Sequence, residues 1–255
     1  MKKETVLLTG ASSGIGREMA KQLSRKGHTV ILVARRRDRL EELAAELPSN
    51  NHIITADLAD LDACYDLYEQ TKDMDVSILI NCAGFGLFGE FSKSDLDKEL
   101  EMVDVNIKAL LVLTKLFMKD FIAKDYGYIL NVSSVAGLMP GGPYMAAYYA
   151  SKAYVTNLTV ALNEELQQRS SNVYIGALCP GPVDTEFNQV AGAAFGLKSI
   201  TAQECAMYGI GQMFRGKTII VPGMLLKTAA VLAKVAPRKF VVKMAGRQQK
   251  KKGQE

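Results

Sequence analysis

Residues Thr5-Val6-Leu7-Leu8-Thr9-Gly10-Ala11-Ser12-Ser13-Gly14-Ile15-Gly16 decide the fold. A short apolar run ends in three glycines within seven positions, and a segment of helical period, Ile15 to Lys26, follows directly. Strand, tight turn and helix are therefore contained in one stretch. Glycines at such a turn let the backbone bend sharply and approach a pyrophosphate, while unpaired N–H groups at the helix N-terminus supply positive potential. Gly10, Ser12, Ser13, Gly14, Ile15 and Gly16 are thus candidate dinucleotide ligands. Their spacing, G-x-x-x-G-x-G, differs from the commonest fingerprint, G-x-G-x-x-G.

The same alternation continues outward. Apolar runs of strand length occupy Val6 to Leu8, Thr29 to Val33, His52 to Ala56, Val76 to Ile80, Tyr128 to Val132, Val173 to Leu178 and Thr218 to Val221. Helical patterns lie between them at Ile15 to Lys26, Arg37 to Leu47, Leu61 to Lys72, Leu96 to Lys124 and Met145 to Arg169. Strands that are apolar along their whole length are buried on both faces, which requires a parallel sheet with helices on each side. The expectation is a doubly wound, Rossmann-type α/β fold, one domain over residues 1–255, since no linker or fixed repeat divides it. The stretch 187–214, Gly/Ala-rich and then carrying the capping box Thr201-Ala-Gln-Glu204, is expected to be a substrate lid. Its apolar members are Phe187, Phe195, Leu197, Met207, Tyr208, Met213 and Phe214.

Composition excludes several chemistries. At 48% apolar and 23% charged residues the chain is ordinary globular material. Its two histidines, His28 and His52, cannot build a multi-histidine metal site, and neither stands near a nucleophile motif. No metal is expected. Four separated cysteines, Cys64, Cys82, Cys179 and Cys205, fit neither a disulfide framework nor a zinc site and suit a reducing, cytoplasmic setting. Charge is unevenly spread. Residues 215–255 hold eleven Lys or Arg against one acid, whereas the other 214 hold twenty basic and twenty-six acidic side chains, so the body is net −6. That argues against a nucleic-acid footprint and leaves an anionic partner only for the tail.

The second strand ends Leu32-Val33-Ala34-Arg35-Arg36-Arg37. An acid here would bind the ribose 2′-hydroxyl of NAD, whereas an arginine accommodates the 2′-phosphate of NADP. Arg35 is the candidate phosphate ligand, which favours NADP(H) over NAD(H); Arg36 and Arg37 suit the solvated opening of a helix.

These residues resemble a short-chain dehydrogenase/reductase. Thr9 to Gly16 is similar to that family's glycine motif, Asn81-Cys82-Ala83-Gly84 to its N-N-A-G motif with Cys at the second place, and Asn106 to its mid-helix asparagine. Asn131-Val-Ser133-Ser134, Tyr148-Tyr-Ala-Ser-Lys152 and Pro180-Gly181-Pro-Val183-Asp-Thr185 follow in the expected order, so the resemblance spans roughly residues 5–190. It implies hydride exchange between a nicotinamide and a carbonyl or secondary alcohol. It also implies that Asp57 and Leu58 lie near the adenine, Asn81, Ala83 and Gly84 along the ribose, and Pro180, Gly181, Val183 and Thr185 near the nicotinamide. By the same resemblance Ser134 holds the substrate oxygen and Asn106 supports a water-linked proton path.

The residue chemistry agrees. Tyr148 and Lys152 stand i, i+4 on one helix face. A nearby ammonium, together with an oxidised nicotinamide cation, favours the phenolate and is expected to lower the tyrosine pKa toward working pH, making Tyr148 the general acid/base. Tyr144 and Tyr149 lack a lysine at i+4. Thirteen residues separate Ser134 from Tyr148, one more than is usual in the family, which keeps Ser133 as a second candidate. An NAD-dependent alcohol dehydrogenase, or a non-catalytic dinucleotide-binding sensor or scaffold, are the alternatives.

Two surfaces point to partners. The segment Met102 to Ala123 is apolar on nearly every side, which fits either deep burial or packing on a second subunit of a homodimer or homotetramer. The basic extension 224–255 fits a helix packed on its own domain, an oligomer contact, or peripheral contact with an anionic membrane.

Overall fold

A computed structural model describes residues 2–187 and 199–252. Among them lies a parallel sheet of order β3-β2-β1-β4-β5-β6-β9. Its strands are β1 (Thr5–Thr9), β2 (Thr29–Ala34), β3 (Asn51–Thr55), β4 (Val76–Asn81), β5 (Gly127–Val132), β6 (Val173–Leu178) and β9 (Ile219–Ile220). A small second pairing joins β7 (Val183–Asp184) to β8 (Ile200–Thr201). The helices are α1 (Gly14–Arg25), α2 (Arg37–Glu46), α3 (Leu61–Thr71), α4 (Leu96–Val103), α5 (Leu110–Lys124), α6 (Ala146–Gln168), α7 (Ala202–Met213), α8 (Met224–Val235) and α9 (Arg238–Lys252). This is the doubly wound arrangement expected from the sequence.

The central strands are apolar throughout because both faces are covered. On one face α1, α2 and α7 bury Met19, Leu23, Leu40, Leu43, Ile210 and Met213 against Leu8, Leu32 and Ile80. On the other, Leu67 of α3, Leu113, Phe117 and Phe121 of α5, and Leu166 of α6 pack on Leu7, Leu79 and Ile129. Burying side chains of this size stabilises by about 1.5–3 kcal/mol each. The edge strand β3 alone mixes exposed His52 and Thr55 with half-buried Ile53 and Ile54. The chain leaves β3 and returns beside β1 as β4, so the strand order reverses between β1 and β4. A crevice opens at the carboxyl ends of the strands at such a point.

Three expectations need correction. The helix expected over Leu96 to Lys124 is interrupted by a π-helical segment, Asp104–Ala109, whose wider turn carries Asn106 inward. The same helix is neither wholly buried nor wholly exposed: Phe117 and Phe121 are core, while Leu111 faces outward. Of the stretch 187–214, residues 188–198 lie outside the described residues, and the part from Ala202 on packs into the core. Thr201 and Glu204 do form the expected capping box, but the helix they open, α7, is core: Cys205, Ala206, Ile210 and Met213 are buried. Gly209 lets α7 approach closely, since a Cβ there would lie 2.9 Å from Leu178 and 3.3 Å from Met19. Phe214 packs edge-on against Tyr128 at 5.4 Å, and Met207 and Tyr208 face solvent. Phe195 and Leu197 lie outside the described residues.

Phe121→Ala is expected to destabilise the fold by about 3–5 kcal/mol in urea unfolding, because it empties a fully buried site. Leu111→Ala, at a partly exposed position of the same helix, is expected to cost under about 1 kcal/mol.

Candidate active site

The crevice is a cavity of about 1310 Å³. The glycine turn forms one end. Gly10 and Gly14 have φ of 69° and 53°, where an L side chain is strained. Close approach is the second reason for glycine. A Cβ on Gly10 would lie 2.8 Å from the Ala83 nitrogen, and one on Gly16 would lie 2.2 Å from the Gly10 carbonyl oxygen. Ser13 caps α1 without any side-chain hydrogen bond, whereas Asp60 and Asp95 cap α3 and α4 through their carboxylates. The first turn of α1 therefore offers its N–H groups to the cavity, which Ser12, Ser13, Gly14, Ile15 and Gly16 line. A cradle that side chains would fill, with uncapped donors, fits a pyrophosphate.

Arg35 lines the cavity and holds Glu101 at 2.8 Å and Asp57 at 3.9 Å. Arg36, which the sequence assigned to a solvated helix start, lines it as well, bonding Ser12 Oγ at 3.3 Å and Glu186 at 2.9 Å. Arg37 faces away, paired with Glu41 one turn on. Asp57 and Leu58 line the same end; Asp60, not Asp57, caps α3.

Ala83 and Gly84, Pro180 and Gly181, Val183 and Thr185 also line the cavity. Asn81 does not. It is buried beneath, its Nδ2 donating to Thr114 Oγ1 at 3.0 Å and Asn131 Oδ1 at 2.9 Å, so it ties β4 to β5 and α5. The threonine preceding the turn, Thr9, was not singled out from sequence. Its Oγ1 accepts the N–H groups of Cys82 and Ala83 at 3.0 and 3.1 Å and so fixes the end of β4 beside β1. The unusual Cys82 is packing: burial pushes its thiol up to about 12.

Ser134, Tyr148 and Lys152 meet in this cavity. The Ser134 hydroxyl donates to the Pro180 carbonyl at 3.4 Å, accepts the Ala136 N–H at 3.1 Å and acts on the Tyr148 phenol to lower its pKa. The Ser133 hydroxyl is engaged elsewhere, donating to the Lys152 carbonyl at 2.8 Å and bonding Thr156. Between Val135–Leu138 and α6 the chain turns through Tyr144, which takes a φ of 66°. Lys152 is buried, its ammonium donating to the Val132 carbonyl at 3.0 Å and lying 5.9 Å from the centre of the Tyr148 ring. Asn106 sits behind Gly84, bonding the Phe85 amide and carbonyl at 3.1 and 2.9 Å and Ser151 at 3.1 Å. It does not line the cavity. A Cβ on Gly84 would lie 2.7 Å from Asn106 and 3.2 Å from Lys152, so this row of residues is in direct contact.

Among the chain's own groups burial wins: it pushes the Tyr148 phenol up to about 12, with the Ser134 hydroxyl opposing. Burial brings Lys152 down to about 8. Tyr148 is thus a protonated acid at neutral pH, and any fall of its pKa needs a further positive charge beside it.

Apart from Phe187, no motif in the sequence marks the rest of the wall. Phe85, Met139, Met145 and Phe187 surround Tyr148, whose ring lies 5.5 Å from that of Phe187. Leu226 and Leu232 of α8 and Phe240 and Met244 of α9 close the far side. Gln249, buried, donates to the Tyr149 hydroxyl at 3.1 Å and fastens α9 to the helix that carries Tyr148. No local pattern announces Gln249.

Carrying a buried ammonium at pH 7 costs on the order of 3 kcal/mol for Lys152. Between pH 8 and the ordinary lysine value the unfolded chain holds a proton the folded chain has lost, so this penalty fades as pH rises. Lys152→Met is expected to raise the thermal midpoint at pH 7 by several degrees, with the gain shrinking towards pH 10; a gain constant with pH would contradict the burial argument.

Comparison with known proteins agrees with this geometry. The family described as short chain dehydrogenase matches residues 4–195. A probable NADP-dependent dehydrogenase of Haemophilus influenzae is 37% identical over 198 residues, covering 74% of this chain and 76% of that one. A solved short-chain dehydrogenase from Sphingobium yanoikuyae, in complex with NADPH, superposes with a TM-score of 0.81 at 30% identity, covering 92% of this chain and 97% of that one. The bulky-bulky ketone specific alcohol dehydrogenase of Comamonas testosteroni gives 0.79 at 27% identity, covering 92% of each chain. With its glycine cradle, its Ser134, Tyr148 and Lys152 in one cavity and this match over most of its length, the chain belongs to the short-chain dehydrogenase/reductase family of oxidoreductases.

Proposed function

We propose that this chain is an NADP(H)-dependent reductase that interconverts an apolar ketone and its secondary alcohol, with Tyr148 as the general acid/base. The observation that carries the reading is the convergence of Ser134, Tyr148 and Lys152 in the cavity whose other end is the uncapped α1 turn flanked by Arg35 and Arg36. The relative from Haemophilus influenzae is named for NADP, and the Sphingobium structure contains NADPH.

The α1 turn binds the pyrophosphate, and Arg35 and Arg36 take the 2′-phosphate, Arg35 exchanging its contact with Glu101 for it. When bound, the nicotinamide supplies the hydride. Ser134 then holds the substrate oxygen, and the Tyr148 hydroxyl gives it a proton as negative charge develops there. The ordinary state of Tyr148, a protonated phenol, is the form that reduction needs. Lys152 lies beside it and favours the phenolate left behind, and Asn106, through Phe85 and Ser151, holds Gly84 and α6 in place.

Substrate class follows from the wall. Phe85, Leu87, Val135, Met139 and Phe187 on one side, and Leu226, Phe240 and Met244 on the other, suit a large apolar ketone. The Comamonas relative is named as a bulky-bulky ketone specific alcohol dehydrogenase. Leu111 and Val160, exposed on α5 and α6, support self-association through these helices.

Tyr148→Phe is expected to lower kcat for ketone reduction by about 10² to 10⁴-fold while leaving NADPH affinity unchanged; near-normal turnover would overturn its role. Arg35→Ala is expected to weaken NADPH binding by about tenfold or more and leave NADH binding unchanged, followed by nicotinamide fluorescence. Preference of the unaltered protein for NADH would turn the reading to alcohol oxidation, and binding of neither nucleotide would sink it.

A further inference from the structure

The helices that close the cavity also carry seven of the fifteen large apolar side chains exposed among the described residues. On α8, Met224, Leu225 and Val235 are 82%, 79% and 81% exposed, and with Val231 and Leu232 they form one stripe at helical spacing. On α9 the stripe continues in Phe240 and Met244. Leu232, Phe240 and Met244 are at once exposed and part of the cavity wall, so the cavity opens on this surface. A monomer that met only water would gain nothing from such a patch.

What covers it is indicated by charge. Between Glu204 and Glu255 the chain has no acidic residue. Lys227, Arg238, Lys239, Lys243 and Arg247 are all exposed around the apolar stripe, and none pairs with a carboxylate among the described residues. Four of them, Arg238, Lys239, Lys243 and Arg247, ring a groove of about 750 Å³ against Pro140, Pro143 and Tyr144. Surface salt bridges are common elsewhere: Arg37, Lys93 and Lys124 are all paired. A second copy of the chain would bring the same positive charge to this face and be repelled. Among the described residues no helix is long and apolar enough to cross a bilayer, so the fitting geometry is one that lies on it.

We infer that α8 and α9 form a docking surface for a bilayer rich in anionic lipid, with the apolar stripe in the acyl boundary and the cations at the phosphates, so that the cavity mouth faces the membrane. This deepens the proposed reductase function, for which it provides the route of an apolar ketone to Tyr148. It also accounts for a cavity wall made of the same side chains as the exposed stripe.

The test uses the full chain with NADPH present and vesicles of phosphatidylglycerol mixed with phosphatidylcholine, against vesicles of phosphatidylcholine alone. The chain has no tryptophan, so Leu225→Trp is a unique reporter and Tyr65→Trp, on α3, its control. Expected are flotation with the anionic vesicles, weakened by salt, and a blue shift of emission for Leu225→Trp only. The variant combining Arg238→Glu, Lys239→Glu and Lys243→Glu is expected to lose at least about tenfold in vesicle binding and to keep its turnover of a water-soluble ketone. Absence of flotation, or flotation indifferent to lipid charge and to the triple reversal, would overturn the inference. So would a blue shift that rises with protein concentration without vesicles, together with a dimer in sedimentation that Leu225→Asp abolishes, which would assign the face to a second copy. Failure of the enzymatic reading is separable: a protein that docks but oxidises NADPH with no ketone would refute the reductase and leave the docking intact.

Discussion

The site depends on how closely the turn after β1 approaches the end of β4. Gly10 and Gly16 leave no volume for a side chain between Ala83 and the first turn of α1, and Thr9 clamps the approach by accepting two consecutive backbone N–H groups. Gly84, next along, lies against Asn106 and Lys152 in the same way. The row from Gly10 to Lys152 is thus a chain of contacts in which each glycine sets the position of its neighbour. Widening any of them would separate the donors on α1 from the reacting groups on α6.

Behind that row the protein is held by buried polar side chains instead of apolar ones. Asn81, Thr114, Asn131 and Thr159 bond one another across β4, β5, α5 and α6. The network fixes the heights of β4 and β5 more sharply than interchangeable apolar packing does, although the Asn81 Oδ1 is left without a hydrogen-bond partner among the described residues. Beside this network Tyr148 and Lys152 are buried, so each is pushed toward its neutral form, the phenol up to about 12 and the amine down to about 8. Both respond strongly to a charge placed beside them, because burial limits the solvent that screens it.

The nucleotide half and the substrate half of the cavity differ in origin. The former is built from β1, β2, β4 and the turn into α1, all within the region that matches the family, residues 4–195. The far wall comes from α8 and α9, beyond that region, fastened by Gln249 on Tyr149. The region that matches the family and a wall from outside it therefore meet over Tyr148.

The sequence by itself determined what depends on local spacing. Apolar runs specified a parallel sheet, three glycines specified a turn with no room for side chains, and an i, i+4 pair put Tyr148 and Lys152 on one face. Only the tertiary structure decided what depends on which distant segments meet. It turned Arg36 into the cavity and Asn81 beneath it, widened the helix at Asn106, tied the Ser133 hydroxyl to the Lys152 carbonyl, sent α7 into the core, and made α8 and α9 the cavity wall. The physical reason is that periodicity records the face a residue occupies on its own element, whereas burial, pKa and cavity shape are set by partners tens of residues away. For Tyr148 those partners include Phe187, while its neighbour Tyr149 meets Gln249, one hundred positions along the chain.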